Sequence, residues 1–278
     1  MASLPAERVE RLEKLAGYRI GREISRSSIA SVYEGEQPSL GRKVLIKILH
    51  PQLASDPEIR ARFEREAQAL ARIKHKNIVH VYDYRSDAEA VLLVSEWIAH
   101  GSLEEYLREH GPIDERHAAA LALDVLEGLA AAHEAGIIHR DIKPANLLIA
   151  AGGSIKITDF GLAQFEDSPH LTQQGVVMGT PAYAAPEVIS GRPPDARCDL
   201  YSLGVTLYEL LTGTNPFRAE NLSETLNRVL SLKPDPLEGV SPEMGKFLAS
   251  LLEKRPERRP ATTRDALEQA RALAEMHG

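Results

Sequence analysis

The chain has almost no cysteine. Among its 278 residues there is one, Cys198, so no internal disulfide can form. That suits a reducing compartment and reads Cys198 as a small buried residue. No apolar run reaches the length needed to span a bilayer. The first residues, MASLPAERVERLEKLAG, contain no apolar signal core. Positive charge is not in excess: 33 Lys and Arg stand against 40 Asp and Glu, a formal charge of -7. That weighs against a dedicated nucleic-acid binder, which needs a basic face for phosphates. The one basic cluster, Lys254, Arg255, Arg258 and Arg259, is broken by Glu253 and Glu257 and reads mostly as a solvated helix end. There is no internal repeat and no low-complexity tract. These absences leave a cytoplasmic globular chain, or the cytoplasmic part of a longer one, with no membrane contact from this segment.

What is present is long enough for one large domain or two lobes with separate cores. Val9, Leu12 and Leu15 recur at helical spacing, so residues 1–17 form an extension with a short amphipathic helix over 5–16. From Tyr18 to Lys47 the pattern becomes β-like: YRIGREI, SVYEGE, KVLIKIL. Residues 57–73 read as a helix with Ile59, Phe63, Ala67, Leu70 and Ile73 along one side. Strand candidates IVHVYDY and VLLVSEW follow. After His100-Gly101 the chain turns helical. A helix over 117–135 stops at Gly136, two short strands sit near 147–149 and 155–159, and a long irregular stretch covers 162–187. An apolar helix over 199–212 ends at Gly213. The expected organisation is a β-rich lobe at 18–97, a connection at about 96–101 and a helical lobe at 102–278.

The chemistry concentrates in His139-Arg140-Asp141-Ile142-Lys143-Pro144-Ala145-Asn146, a loop between a helix and a strand. Phosphoryl transfer needs a carboxylate to orient the acceptor hydroxyl, a cation for developing charge and oxygen ligands for magnesium. Asp141, Lys143 and Asn146 supply these three. Asp159 arrives thirteen residues after Asn146, at a strand end before Phe160-Gly161. A carboxylate beside a glycine turn is a natural metal ligand, although alone it is more often a plain turn residue. Glu66 lies within the apolar stripe of its helix, between Phe63 and Leu70, and needs a buried or cleft-side partner there.

Together these residues resemble the protein kinase pattern HRDxKxxN followed by DFG. The resemblance runs in order along nearly the whole chain, and its closest flavour is that of the bacterial eukaryotic-like Ser/Thr protein kinases. It implies an α+β, bilobal fold with a β-rich lobe carrying one long helix and a mainly helical lobe. It implies ATP and Mg2+ as cofactors, with Mn2+ an alternative, and a protein substrate. Asp141, Lys143, Lys47 and Glu66 become the catalytic residues, with Lys47 in Val44-Leu45-Ile46-Lys47 gripping the α- and β-phosphates and Glu66 as its ion-pair partner. Asn146 and Asp159 become the metal ligands. Ile24, Ser25, Ser27, Ala30 and Val32 fall on the nucleotide loop and its flanks. Leu45, Ser95, Glu96, Ile98 and Leu148 surround the base. Gly179 to Glu187 (GTPAYAAPE) resembles the end of an activation segment, with Thr180 in a structural role. Asp199 resembles the buried aspartate that braces the catalytic loop, and Arg259 the partner of Glu187. Each of these has a plainer reading alone, Asp199 as a helix-start carboxylate and Arg259 as a surface arginine.

Two departures matter. The glycine loop should read GxGxxGxV, and Ser25, Ser27 and Ala30 stand where the glycines belong. If those positions need positive φ, each costs roughly 1–2 kcal/mol, so a weakened nucleotide clamp is expected, with serine hydroxyls able to donate to phosphate. Leu45 replaces the usual alanine above the adenine, which costs roughly 1–3 kcal/mol in ATP binding unless the small Ser95 makes room. The departures keep a second reading open, a pseudokinase acting as a binding or scaffold module. A small-molecule phosphotransferase is a third, opposed by the 179–187 motif and Arg259. Arg140 before the catalytic aspartate implies a phosphorylated activation loop, with Thr172 as acceptor and Ser168 as alternate, reached in trans by another copy of the chain.

Overall fold

A computed structural model describes residues 10, 12–14, 17–87, 90–160 and 181–276. The chain divides into two compact units, Met1–His75 with Val79–Ile98, and Lys76–Ile78 with Ala99–Gly278.

The first unit is a five-stranded antiparallel sheet in the order β1-β2-β3-β5-β4. Its strands are β1 (Arg19–Arg26), β2 (Ala30–Gln37), β3 (Arg42–Leu49), β4 (Val81–Ser86) and β5 (Val91–Glu96). A short helix α1 (Pro51–Ala54) and a long one, α2 (Pro57–Arg72), stand between β3 and β4. Helix α2 starts where it does because Asp56 accepts from Glu58 N at 2.8 Å and Ile59 N at 3.3 Å, with Pro57 at the first position. Its buried side carries Ile59, Phe63, Ala67 and Leu70. One face of the sheet is a closed apolar core of Tyr33, Val44, Ile46, Ile48, Leu92 and Val94. Leu12, from the helical residues 12–14, is 1% exposed within that core. Glu13 fastens the segment, accepting the backbone N–H of Ile20 at 2.7 Å.

Among its described residues the second unit has helices and one hairpin, of β6 (Leu147–Ile149) and β7 (Ile155–Ile157). Helix α3 (Leu103–His110) opens on a capping box between Ser102 and Glu105. Helix α4 (Glu115–Glu134) ends before Gly136, whose φ of 77° a side chain would resist. Helices α5 (Pro186–Ile189), α6 (Arg197–Thr212), α7 (Leu222–Ser231), α8 (Pro242–Leu251) and α9 (Thr263–Met276) follow. Helix α6 is buried on nearly all sides, and Gly204 lets it meet α8: a Cβ there would lie 2.8 Å from that of Leu251. Residues 76–78 join this unit through Asn77, which donates to Ile155 O at 2.8 Å and accepts from Ile157 N at 2.8 Å. Nothing in their composition marks them as leaving the strand-rich segment around them.

Candidate active site

In the first unit the register sorts the side chains. Ala30 lies opposite Leu49, and Val32 opposite Lys47. Leu45 lies opposite Ser95. Paired residues of an antiparallel sheet share a face, so Ala30, Val32, Leu45, Lys47 and Ser95 line the side away from the closed core. Lys47 is 5% exposed and Ser95 6%. Leu45 and Ser95 are direct cross-strand partners, so the small serine sits where the bulk of the leucine needs room. Glu66 is half-buried on α2, between the buried Phe63 and Leu70. The side chain of Glu96 accepts from His80 N at 3.3 Å, and Glu96 N donates to His80 O at 2.9 Å. Ile98 closes the unit and is partly exposed, as is Ile24 on β1.

The glycine-deficient loop corrects the expectation of strain. Among the described residues the only non-glycine positive φ values are at Arg140, 68°, and Asp159, 66°. Ser25, Ser27 and Ala30 therefore carry no left-handed cost. Ser25 stays in β1, opposite Val32. The hydroxyl of Ser27 is turned inward, accepting from Ile29 N and Ala30 N, each at 3.2 Å, and donating to Ala30 O at 3.2 Å.

In the second unit the catalytic-loop residues hang from one buried carboxylate. Asp199, at the start of α6 and 0% exposed, accepts the backbone N–H of His139 at 2.8 Å and of Arg140 at 2.7 Å. Burial alone would push the Asp199 carboxyl up. The His133 hydrogen bond and charge, with the backbone N–H of His139, outweigh it and hold the group below the usual carboxylate range. The ring of His139 accepts from Asp141 N at 3.1 Å through Nδ1, so its proton is on Nε2, which donates to Thr158 O at 2.8 Å. That ring stacks edge-on with Phe160, centroids 4.5 Å apart.

This support aims Asp141. Its Oδ2 accepts from Lys143 Nζ at 2.7 Å and from Asn146 Nδ2 at 2.9 Å. Asn146 also donates to Asp141 O at 2.7 Å. Lys143 and Asn146 both take Oδ2, and Oδ1 of Asp141 has no hydrogen-bond partner among the described residues. With its NH2 spent on Asp141, Asn146 presents its carbonyl oxygen to any cation. Thr158 N donates to Asn146 O at 3.0 Å, so Asn146 and Asp159 stand at adjoining ends of the β6-β7 hairpin. Among the described residues no group of three or more His, Cys, Asp and Glu side chains could hold a metal. An asparagine and an aspartate that complete their coordination with phosphate oxygens fit magnesium, which keeps few protein ligands. Leu148 lies in β6, bridged to Ser102.

Glu187 and Arg259 form a bidentate pair, with distances of 2.7 and 2.8 Å. Arg259 is 4% exposed and also donates to Arg197 O at 2.9 Å and Glu253 O at 2.8 Å. Arg259 is thus the exception expected in the basic cluster, whereas the solvated reading fails for Lys254. Lys254 donates to Val229 O at 2.7 Å and Tyr201 OH at 2.9 Å and stands 4.1 Å from the centroid of Phe217. Burial, and then the neighbouring Arg259 charge, pull its ammonium down to about 8. Cys198 is 2% exposed, and burial pushes its thiol well up. Ser168, Thr172 and Thr180 lie outside the described residues.

Other contributors carry no motif. His133, on α4, donates or accepts at both ring nitrogens, 2.8 Å from Asp199 Oδ2 and 2.6 Å from Thr263 Oγ1. Tyr183 donates to the buried Glu209, and Arg218 reaches both, at 3.2 Å from the hydroxyl and 3.6 Å from the carboxylate. Burial, and then Glu209, push the Tyr183 hydroxyl up. A polar residue on an otherwise apolar helix face was the available signal for Glu209, which sits in the last turn of α6.

A strand lysine on a five-stranded sheet and an aspartate-lysine-asparagine loop hung from a buried aspartate define a phosphoryl-transfer domain of two units. The family model described as protein kinase domain matches residues 18–270, and the chain belongs to that family, in its bacterial eukaryotic-like Ser/Thr branch. It is 42% identical to the serine/threonine-protein kinase PkaA of Streptomyces coelicolor over 224 residues, 80% of this chain and 41% of that protein. It is 38% identical to PknL of Mycobacterium tuberculosis over 243 residues, 86% of this chain and 61% of that protein. The probable serine/threonine-protein kinase pknA2 of Bifidobacterium longum is 36% identical over 281 residues, 97% of this chain and 36% of that protein. The chain thus spans between about a third and three fifths of these relatives. Membership of the family carries use of ATP and a divalent metal. No helix among the described residues is long and apolar enough to cross a membrane.

Proposed function

We propose that this chain transfers the γ-phosphoryl group of ATP, with magnesium, to serine or threonine hydroxyls of a protein. The observation that carries the reading is the state of Asp141: one carboxylate oxygen is occupied by Lys143 and Asn146, and the other has no partner among the described residues. Asp141 Oδ1 orients the acceptor hydroxyl and takes its proton as the oxygen attacks the γ-phosphorus. Lys143 balances the charge that develops on the transferring group. Lys47, placed by Glu66, holds the α- and β-phosphates. Backbone groups of Glu96 and Ile98 meet the adenine edge, with Ile24, Val32, Leu45 and Leu148 about the ring. Asn146 and Asp159 would hold the magnesium, which supplies charge neutralisation on the phosphates; manganese suits the same oxygen ligands.

The segment that includes Ser168, Thr172 and Thr180 is read as an activation loop, phosphorylated at Thr172 by another copy of the chain. Arg140 supports this. Its Nε is buried without a hydrogen-bond partner among the described residues, a cost that an anion beside it would relieve. Glu187, Arg259 and Asp199 serve as structural braces. The single buried Cys198 and the use of ATP fit a cytoplasmic location, in a chain that can be part of a longer one.

Incubation of wild type and Asp141→Asn with radiolabelled magnesium-ATP and a generic protein acceptor, with peptide mapping, tests the proposal. Wild type is expected to label acceptor and Thr172. The variant is expected to lose turnover by at least about a thousandfold while keeping ATP affinity. A wild type that binds ATP but transfers nothing would establish the scaffold reading instead.

A further inference from the structure

The loop between β1 and β2 should cradle phosphates with its backbone N–H groups, which is why this family favours glycine there. In this chain the N–H groups of Ser27, Ile29 and Ala30 are already engaged. Ser27 Oγ accepts from Ile29 N and Ala30 N at 3.2 Å each, and Ser27 N donates to Ala30 O at 2.9 Å. A serine oxygen thus occupies the position of acceptor that a phosphate oxygen would take at two successive amides.

Two further contacts hold the turn shut. His50, which follows β3, donates its backbone N–H to Ile29 O at 2.8 Å. Its Nε2 lies 2.8 Å from Ser27 O, and because a carbonyl only accepts, Nε2 carries the proton. The side chain of Ile29 is 1% exposed, so the tip is anchored inward as well. The flank is tied by Glu23, whose carboxylate accepts from Arg26 at 2.7 and 2.8 Å and from Tyr33 at 3.2 Å. Every one of these contacts lies within the first unit.

We infer that Ser27, with His50 as its anchor, is an internal competitor for the nucleotide's phosphates. The Ser27 hydroxyl caps the two amides in the resting loop, and ATP must displace it to engage them. Two consequences follow. Wild-type affinity for ATP exceeds that for adenosine by less than the phosphates could supply. Removing the hydroxyl raises ATP affinity without touching adenosine affinity. This is the opposite of a serine that donates to phosphate. The inference rests on the ATP-binding reading of this loop.

The test is calorimetric titration of the full 278-residue chain with magnesium-ATP and, separately, with adenosine. Wild type is compared with Ser27→Ala, Ser27→Gly, His50→Ala and His50→Gln. Ser27→Ala and Ser27→Gly are expected to tighten ATP by about three- to tenfold, the worth of one or two net hydrogen bonds, with adenosine unchanged. His50→Ala should shift ATP in the same direction by a smaller factor, and His50→Gln, which keeps a side-chain N–H donor, should restore the wild-type ratio. Thermal melting confirms that each variant is folded. If both Ser27 variants bind ATP with an unchanged or reduced ATP-to-adenosine ratio, the competitor role is wrong and the kinase reading stands. If none of the five proteins binds ATP or adenosine, the nucleotide reading itself is wrong and takes this inference with it.

Discussion

Asp141 and Leu45 show how single positions tie chemistry to register. Lys143 and Asn146 both occupy one oxygen of Asp141, so the other stays without a partner among the described residues, as the proposed role of Asp141 requires. Leu45 looks prohibitive above an adenine until its cross-strand partner is seen to be Ser95. That pairing limits the penalty, so Leu45→Ala is expected to tighten ATP by no more than about tenfold, the lower part of the range for an over-large side chain. A titration with no change would mean that β3 and β5 already absorb the bulk. Lys254 supplies a pH dependence. Its folded-state ammonium titrates near 8, below the unfolded value of 10.5. Between those values the unfolded chain binds more protons, so stability rises with pH, and the gain is lost as pH falls through 8. The buried Tyr183 and Tyr201 are raised and favour folding only while the unfolded tyrosines stay neutral, so the rise is clearest from about pH 8 to 10. Urea titrations across that window should show a rise in wild type and a flatter profile in Lys254→Met. An equal slope in both would remove Lys254 as its source.

At the scale of elements, the segments with strong local signals are the ones where expectation and observation coincide. Helix α2 carries its own start in Asp56 and Pro57 and its own buried stripe, and it spans Pro57–Arg72 against the expected 57–73. The strand expected at 78–84 begins instead at Val81, because Ile78 is drawn away to pair with Ile157. Likewise the second short strand stops at Ile157 rather than 159, since Thr158 turns to meet Asn146 and Asp159 takes a positive φ. Long-range pairs are illegible as such. Glu187 and Arg259 are far apart in sequence, and only the motif order linked them. Once paired they are nearly sealed from water, with side-chain exposures of 7% and 0%. Arg259→Met therefore strands a buried carboxylate and is expected to cost about 3–5 kcal/mol, lowering the thermal midpoint sharply. Glu187→Gln with Arg259→Met should recover part of that loss. A single variant that melts with wild type would show that the pair is not needed.

For the molecule as a whole, Leu12 and Tyr18, ahead of the first strand, are part of the first unit's core and not bystanders. Leu12 lies among Tyr18, Tyr33, Ile46 and Leu92, on the face of the sheet opposite Lys47. Leu12→Ala is expected to destabilise by about 2–3 kcal/mol, read as an earlier denaturant midpoint, with ATP affinity little changed. A loss of ATP binding in the folded variant would mean that this segment also shapes the other face. By itself the sequence determined the family, the order of elements and the residues proposed to carry chemistry. Those depend on local period, on capping and turn residues, and on motifs whose spacing is short enough to be read along the chain. Tertiary structure alone decided which oxygen of Asp141 has no partner among the described residues, that Ser27 satisfies its own loop without backbone strain, that Lys254 is half-buried and that Arg259 is buried. It also decided that His133 links Thr263 to Asp199. Each of these depends on the direction of a side chain and on neighbours tens of residues away. Packing and desolvation fix such choices only when the elements have come together.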